Sequence, residues 1–165
     1  EENLCAMVEL SGGLSKGNLR YTWSSGGEIS MAFGTKKILG ETIFAGVGVA
    51  YQVVSVSSTS EMMGFIPVFV RLQSIIMKKE KTAPYLSLDA GYAFTTDPNY
   101  GGGTYAKFST GFMHKISFKM SVYAGLYARA QGFSGALSET VNAVNVTYQG
   151  NSSIYDVGAK VGIQF

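Results

Sequence analysis

The chain has 165 residues, enough for one domain and short for two. Charged residues make up 15% of it, against about 25% in soluble domains, while 46% is hydrophobic, with ten Tyr, ten Phe and 21 Gly. The aromatic content excludes a disordered chain, the single Cys5 excludes a disulfide scaffold, and a net charge of +2 without a basic stripe argues against a dedicated nucleic-acid binder.

Alternation with a period of two residues runs along the whole chain and predicts eight strands, over 4–14, 27–36, 42–55, 62–77, 84–95, 103–115, 119–132 and 153–165. The first, second and sixth carry weaker copies of the pattern. In the third, Ile43, Ala45, Val47, Val49 and Tyr51 oppose Phe44, Gly46, Gly48, Ala50 and Gln52. The uncharged run 42–60 is not a membrane helix, because Gly46 and Gly48 interrupt it and it turns polar from Gln52 onward. In the fourth strand, Ile66, Val68, Val70 and Leu72 oppose Phe65, Pro67, Phe69, Arg71 and Gln73. In the fifth, Leu86, Leu88, Ala90, Tyr92 and Phe94 oppose Tyr85, Ser87, Asp89, Gly91 and Ala93. In the seventh, Val122, Ala124, Leu126, Ala128 and Ala130 oppose Tyr123, Gly125, Tyr127, Arg129 and Gln131. The last is the clearest: Tyr155, Val157, Ala159, Val161, Ile163 and Phe165 oppose Ile154, Asp156, Gly158, Lys160, Gly162 and Gln164.

These strands match the 9–11 residues a tilted membrane strand needs. Their connections alternate in length. Those of 12, 6, 7 and 20 residues fall at one end, those of 5, 6 and 3 at the other. Long loops facing short turns are the pattern of a transmembrane barrel whose short turns are periplasmic. The expected fold is therefore all-β, an eight-stranded antiparallel up-and-down transmembrane β-barrel with a filled polar interior, formed by one domain over 1–165. With no basic, apolar leader at its start, residues 1–3 read as a mature or trimmed N-terminus.

The decisive test is which parity holds the charge. One face collects Glu9, Glu28, Arg71, Asp89, Lys107, Arg129, Asp156 and Lys160, four acids and four bases, and the middle of the other face carries none. A charge at the lipid midplane costs about 2–4 kcal/mol, whereas a soluble barrel has no reason to keep its exterior uncharged. The charges are expected to point inward and to pair, since an unpaired buried charge is costly. A lower layer would hold Glu9, Arg71, Asp89 and Lys160, an upper one Glu28, Lys107, Arg129 and Asp156. The expected role is a salt-bridged plug, with a gated pore or proton path as the alternative. Inward glycines such as Gly46, Gly48, Gly91, Gly111, Gly125, Gly158 and Gly162 leave room for the long side chains.

Aromatic girdles are expected from Tyr21, Trp23, Tyr51, Tyr92 and Phe94 at the long-loop end and from Phe112, Phe118 and Phe165 at the other. Lys36, Lys37, Lys78, Lys79, Lys81, Lys115 and Lys119 gather at the short-turn end, either to meet anionic phospholipid or simply as solvated turns.

The strands FAGVGVAYQ (44–52), YLSLDAGYAF (85–94) and YAGLYARAQG (123–132), with the ending YDVGAKVGIQF, resemble the small outer-membrane barrels of Gram-negative bacteria, of the type of the outer-membrane protein A transmembrane domain and outer-membrane protein X. The resemblance covers essentially the whole chain. It implies a location in the bacterial outer membrane, contact with outer-membrane lipids, a monomer, and use of the terminal Phe165 as a signal to the barrel-assembly machinery. Anchoring through a periplasmic peptidoglycan-binding domain is not implied.

Catalytic chemistry finds little support. Lipid A deacylases of this general architecture use a His and a Ser two apart on one strand face, but Ile116 stands two beyond His114, and Ser117 is off the face. His114 also falls on the lipid-facing parity near a short turn, away from the rim where palmitoyl-transferring barrels keep theirs, and reads as an interfacial side chain. One His, one Cys and scattered carboxylates give no metal set, no cofactor is expected, and Cys5 reads as a free structural thiol. Gly101-Gly102-Gly103 opens no helix and is no phosphate cradle. The triplets at 145–147 and 151–153 match a glycosylation site by chance.

The remaining candidates are the loops. Loop 133–152 is long and polar, and loop 15–26 carries Lys16, Arg20, Tyr21 and Trp23. The expected function is a structural or surface-adhesion barrel, not an enzyme, without an open pore and with a possible extracellular partner at these loops. The alternatives are a lipid-modifying outer-membrane enzyme and a soluble lipocalin-like carrier.

Overall fold

The computed structural model describes residues 4–17, 23–38, 42–56, 61–76, 81–98, 100–117, 119–141 and 144–165. Eight long strands form the wall: β1 (Leu4–Gly17), β2 (Trp23–Ile38), β3 (Ile43–Val56), β4 (Glu61–Ile75), β5 (Thr82–Thr95), β6 (Gly103–Lys115), β7 (Ser121–Val141) and β8 (Val144–Gln164). The two-residue segment Tyr100–Gly101 adds a short pairing to β7. Each strand pairs antiparallel with its sequence neighbours, and β1 pairs with β8, so the sheet closes on itself. No helix among the described residues is long and apolar enough to cross a membrane; strands do the crossing.

Register fixes the shape. From Met7, successive pairings lead through Ala32, Gly48, Phe69, Gly91, Tyr105, Gln131 and Ile154 back to β1 at Gly17, ten residues above the start. Eight strands with that stagger tilt about 40° from the axis and leave a radius of about 8 Å, a lumen that side chains fill. Ten residues at that tilt climb about 25 Å, the height of the apolar band of such barrels. Pairing of β3 with β4 lapses between Val49↔Val68 and Gln52↔Phe65, where the buried Pro67 has no N–H to give the ladder.

Polarity is inverted relative to a soluble barrel. On β8, Val157 and Val161 are each 55% exposed while Asp156 and Lys160 are 1% and 2%. The same alternation holds on β4 to β7, with Val68, Val70, Leu72, Leu86, Leu88, Phe108 and Leu126 outside. An apolar exterior has no stable home in water, so this excludes the soluble carrier.

Two elements differ from expectation. Most of loop 133–152 is strand: over 133–141 and 144–152, β7 and β8 continue as a paired hairpin, from Phe133↔Ser152 to Val141↔Val144. Loop 15–26 shrinks likewise, since β1 runs to Gly17 and β2 starts at Trp23, joined by the pair Lys16↔Trp23. In both, hydrogen-bonded pairing outruns the hydrophobic alternation, because backbone ladders need no apolar face once the chain has left the apolar band. Tyr51, Tyr92 and Phe94 stand outside toward the long-connection end, joined there by Tyr155; Phe112 and Phe165 stand outside near the short turns. Tyr21, Phe118, Lys78 and Lys79 lie outside the described residues, as do the side chains of Trp23 and Lys37.

Candidate functional site: the interior charge network

The register sets five charges side by side. Arg71 on β4 is directly opposite Asp89 on β5, which is opposite Lys107 on β6, Arg129 on β7 and Asp156 on β8 in turn. Because the strands tilt, this ladder climbs the wall as it goes round. The other three charges lie around Ser11 of β1, whose cross-strand partners are Glu28 on β2 and Lys160 on β8; Glu9 is two residues below Ser11 on the same face. Ladder and trio meet across the lumen. All eight side chains point inward and are 5% exposed or less.

Glu9 is the centre of the lower half. Its carboxylate accepts from Lys107 Nζ at 2.6 Å, Lys160 Nζ at 2.8 Å, Arg71 at 3.2 Å and the Tyr123 hydroxyl at 3.1 Å. Arg71 also holds Asp89 with two parallel bonds, Nε and Nη2 each at 2.7 Å, the fork geometry that makes guanidinium–carboxylate pairs strong. In the upper half, Glu28 accepts from Lys107 at 2.8 Å and Arg129 at 2.5 Å, and Arg129 reaches Asp156 with its other terminal nitrogen. Lys107 thus joins the two halves, with Ser11 Oγ at 3.4 Å as a further acceptor.

Aromatic groups finish the shell. The Tyr105 hydroxyl donates to Glu28 at 3.3 Å and the Tyr127 hydroxyl to Asp156 at 3.1 Å. Lys107 lies 4.9 Å from the centre of the Tyr127 ring, and Lys160 lies 5.5 Å from those of Tyr85 and Tyr123. Sequence reasoning did not single out these tyrosines, although each shares the parity of the charges. The room they occupy comes from glycine. A Cβ at Gly162 would collide with the Tyr123 ring, and one at Gly48 with the Phe69 ring.

Apolar clusters lie on either side of the network. Val54, Phe65 and Ile154, with Met63 and Phe133, pack toward the long-connection end; Tyr85, Met113 and Tyr123, with Ile75, pack toward the short turns. The buried side-chain amides of Gln52, Gln73 and Gln131 have no hydrogen-bond partner among the described residues. Cys5 is buried at the short-turn end, where Gln164 donates to its sulfur at 3.0 Å. His114 stands outside on β6, its Nδ1 2.7 Å from the Thr82 hydroxyl. Phe165 closes the seam, exchanging backbone bonds of 2.9 and 3.2 Å with Ala6 of β1, and its ring is half exposed outside.

A closed eight-stranded barrel with ionic groups inside and an apolar girdle outside has the transmembrane barrel fold of bacterial outer membranes. Solved structures that share it include the following two. Neisserial surface protein A (NspA) is 12% identical with a TM-score of 0.58, over 99% of this chain and 96% of that one. The outer membrane protein OprG from Pseudomonas aeruginosa is 10% identical with a TM-score of 0.60, over 98% and 96%. No protein-family model and no curated protein matches the sequence.

Proposed function

We propose that this chain is an outer-membrane protein whose barrel is a closed anchor and whose paired β7–β8 extension is its working part, a rigid hairpin held above the outer leaflet as a surface for adhesion or binding. The observation that carries this reading is the contrast between the two regions. The lumen is crossed by seven ion pairs among eight buried charges and flanked by apolar clusters. The hairpin keeps its ladder for nine further pairs beyond Gly132↔Ser153, out to Val141↔Val144. Backbone pairing holds a binding surface in place at little entropic cost. Enzymatic activity is not part of the proposal, which reads His114, on the outer face and hydrogen-bonded to Thr82, as an interfacial side chain.

Protease added to intact cells should cut within 133–152 and spare the short-turn connections. Cells carrying a variant with 136–149 replaced by a two-residue turn should lose attachment to host or neighbouring surfaces while keeping the barrel. The purified protein in planar bilayers should give no steady single-channel current. Equal attachment by the shortened variant would end the adhesion reading, and stable currents would end the closed-anchor reading.

A further inference from the structure

Within the barrel wall every strand has a neighbour on both sides. Above the wall β8 does not. β1 accompanies it only as far as the pair Gly17↔Ile154, and from Val144 to Ser153 the side of β8 away from β7 has no paired strand among the described residues. The five residues between Gly17 and Trp23 are too few to line that edge. The span reaches about 20 Å in all, so a path up the edge and back covers about three of its residues. The other edge of the hairpin, on β7, is less open: Gly101 and Tyr100 pair with Ser134 and Gly135, and Glu139 stands on it.

A free strand edge offers N–H and C=O groups to any extended chain, and proteins guard such edges with Lys, Pro, other charges or a bulge. β8 has none of these here. Residues 144–153 contain no charged residue and no proline, and their register with β7 runs unbroken from Gly132↔Ser153 to Val141↔Val144. Val144, Val146, Thr147 and Tyr148 are residue types that favour strands. The edge also matches itself. When it is laid antiparallel against a second copy about Thr147, Thr147 faces Thr147, Val146 faces Tyr148 and Asn145 faces Gln149. Hydroxyl with hydroxyl and β-branched with aromatic are cross-strand pairs that stabilise sheets, and the amides meet without charge. Glu139, the one charged residue of 133–153, lies on β7, so the two copies of it stand three strand spacings apart, about 14 Å, and are screened from each other.

We propose that the edge of β8 from Val144 to Ser153 pairs antiparallel with the same edge of a second copy of this chain, joining two hairpins into one four-stranded sheet. The proposal rests on the reading of the hairpin as an adhesive surface and names its partner. Direction fixes where the second copy sits. β8 runs from Val144 at the long-connection end to Gln164 at the short-turn end, so two barrels upright in one membrane present these edges parallel. Antiparallel pairing inverts one barrel relative to the other, which is the arrangement of two membranes that face each other. The sheet is then a bridge between cells. Thr147 is eight residues above Tyr155 of the girdle, so at about 3.3 Å per residue the two girdles lie no more than about 55 Å apart. A foreign peptide is the poorer occupant, because the edge holds no charge to select one, whereas the match about Thr147 is to itself.

The test uses the full chain inserted into phosphatidylcholine vesicles, with protease cleavage within 133–152 showing that the hairpin is outside. Clustering of the vesicles is followed by light scattering. Vesicles carrying the protein should cluster with one another and not with empty vesicles. Thr147→Lys and Thr147→Glu should each slow clustering on the order of tenfold, because like charges then meet at the centre of the register, and mixing the two populations should restore it. Asn145→Lys vesicles should cluster faster with Gln149→Glu vesicles than with Asn145→Glu vesicles, which reads the register. Unheated gel mobility checks that each variant still forms the barrel. No clustering by the unaltered protein, clustering indifferent to Thr147→Lys, or dimers within one vesicle in place of contacts between vesicles would each overturn the proposal. The adhesive reading of the hairpin fails separately, if cells carrying the variant shortened across 136–149 attach to other surfaces as well as before.

Discussion

Glu9 takes part in three of the seven interior ion pairs, more than any other of the eight charges, and its removal should cost the barrel the most stability. Glu9→Gln removes three ion pairs at once, those with Arg71, Lys107 and Lys160. Two of the three cations keep an acid, since Arg71 retains Asp89 at 2.7 Å and Lys107 retains Glu28 at 2.8 Å. Lys160 retains none among the described residues; beyond Glu9 its neighbours there are the faces of Tyr85 and Tyr123, each 5.5 Å away. The substitution therefore leaves one buried ammonium uncompensated, which costs about 3–5 kcal/mol. Asp89→Asn is the control. It strips Arg71 of one acid but leaves it Glu9 at 3.2 Å, so the loss should be about 1–3 kcal/mol. Adding Lys160→Met to Glu9→Gln removes the stranded charge and should recover about 2 kcal/mol, read as a coupling energy in a double-mutant cycle. The measurement is urea unfolding of protein inserted in phosphatidylcholine vesicles, followed by far-ultraviolet circular dichroism. If Glu9→Gln and Asp89→Asn cost the same, or if Lys160→Met recovers nothing, then connectivity does not govern the energetics of the lumen.

Other perturbations test the wall, the packing and the seam. Leu126→Arg, at an outward position 66% exposed and midway along 121–132, the part of β7 within the apolar band, should cost about 2–4 kcal/mol in the same urea assay, while Tyr155→Arg at the girdle should cost about 0–1 kcal/mol; equal costs would contradict the band of lipid contact. Gly162→Ala must displace the Tyr123 ring and with it a hydroxyl bond to Glu9, so about 1–3 kcal/mol should be lost, and Tyr123→Phe in that background should cost less than it does alone. Phe165→Ala should sharply lower the amount of barrel inserted in cells yet leave the yield of refolding into detergent unchanged, because the ring is half exposed and the seam bonds to Ala6 are made by backbone; equal losses in both would assign Phe165 a structural role instead.

What the sequence reveals here follows from which quantities are local. Strand positions and facing depend on alternation over a few residues, and a lipid exterior makes that signal strong: Val157 and Val161 against Asp156 and Lys160 could face only one way. Partnerships inside the lumen are not local. Lys107 finds Glu9 and Glu28 because of the ten-residue stagger, and that stagger exists only once all eight strands have paired. The hairpin extension escapes notice for a different reason. Residues 133–152 leave the apolar band, so nothing forces their side chains to alternate by polarity, and the Ser, Asn, Gly and Thr that fill them have the composition of a loop.

The charge ladder contains one step that makes no sense for a sheet. Lys107 and Arg129 are directly opposite on neighbouring strands, and two like charges so placed repel in an open β6–β7 pair. In the closed barrel Glu28 lies between them, 2.8 Å from one and 2.5 Å from the other, and Glu28 belongs to β2, on the far side of the lumen. The repulsion is therefore relieved only when the N-terminal hairpin has met the C-terminal strands. Glu9 extends the same logic, since its three cations come from β4, β6 and β8. Among the described residues, Lys107 and Lys160 find their ion-pair partners only in these two carboxylates of β1 and β2. Most of the ladder, Arg71 with Asp89 and Arg129 with Asp156, is satisfied between neighbours and would stabilise an open sheet as well as a barrel. Glu9 and Glu28 are what make the closed barrel, rather than an open sheet, the state in which each of the eight interior charges has an ion-pair partner.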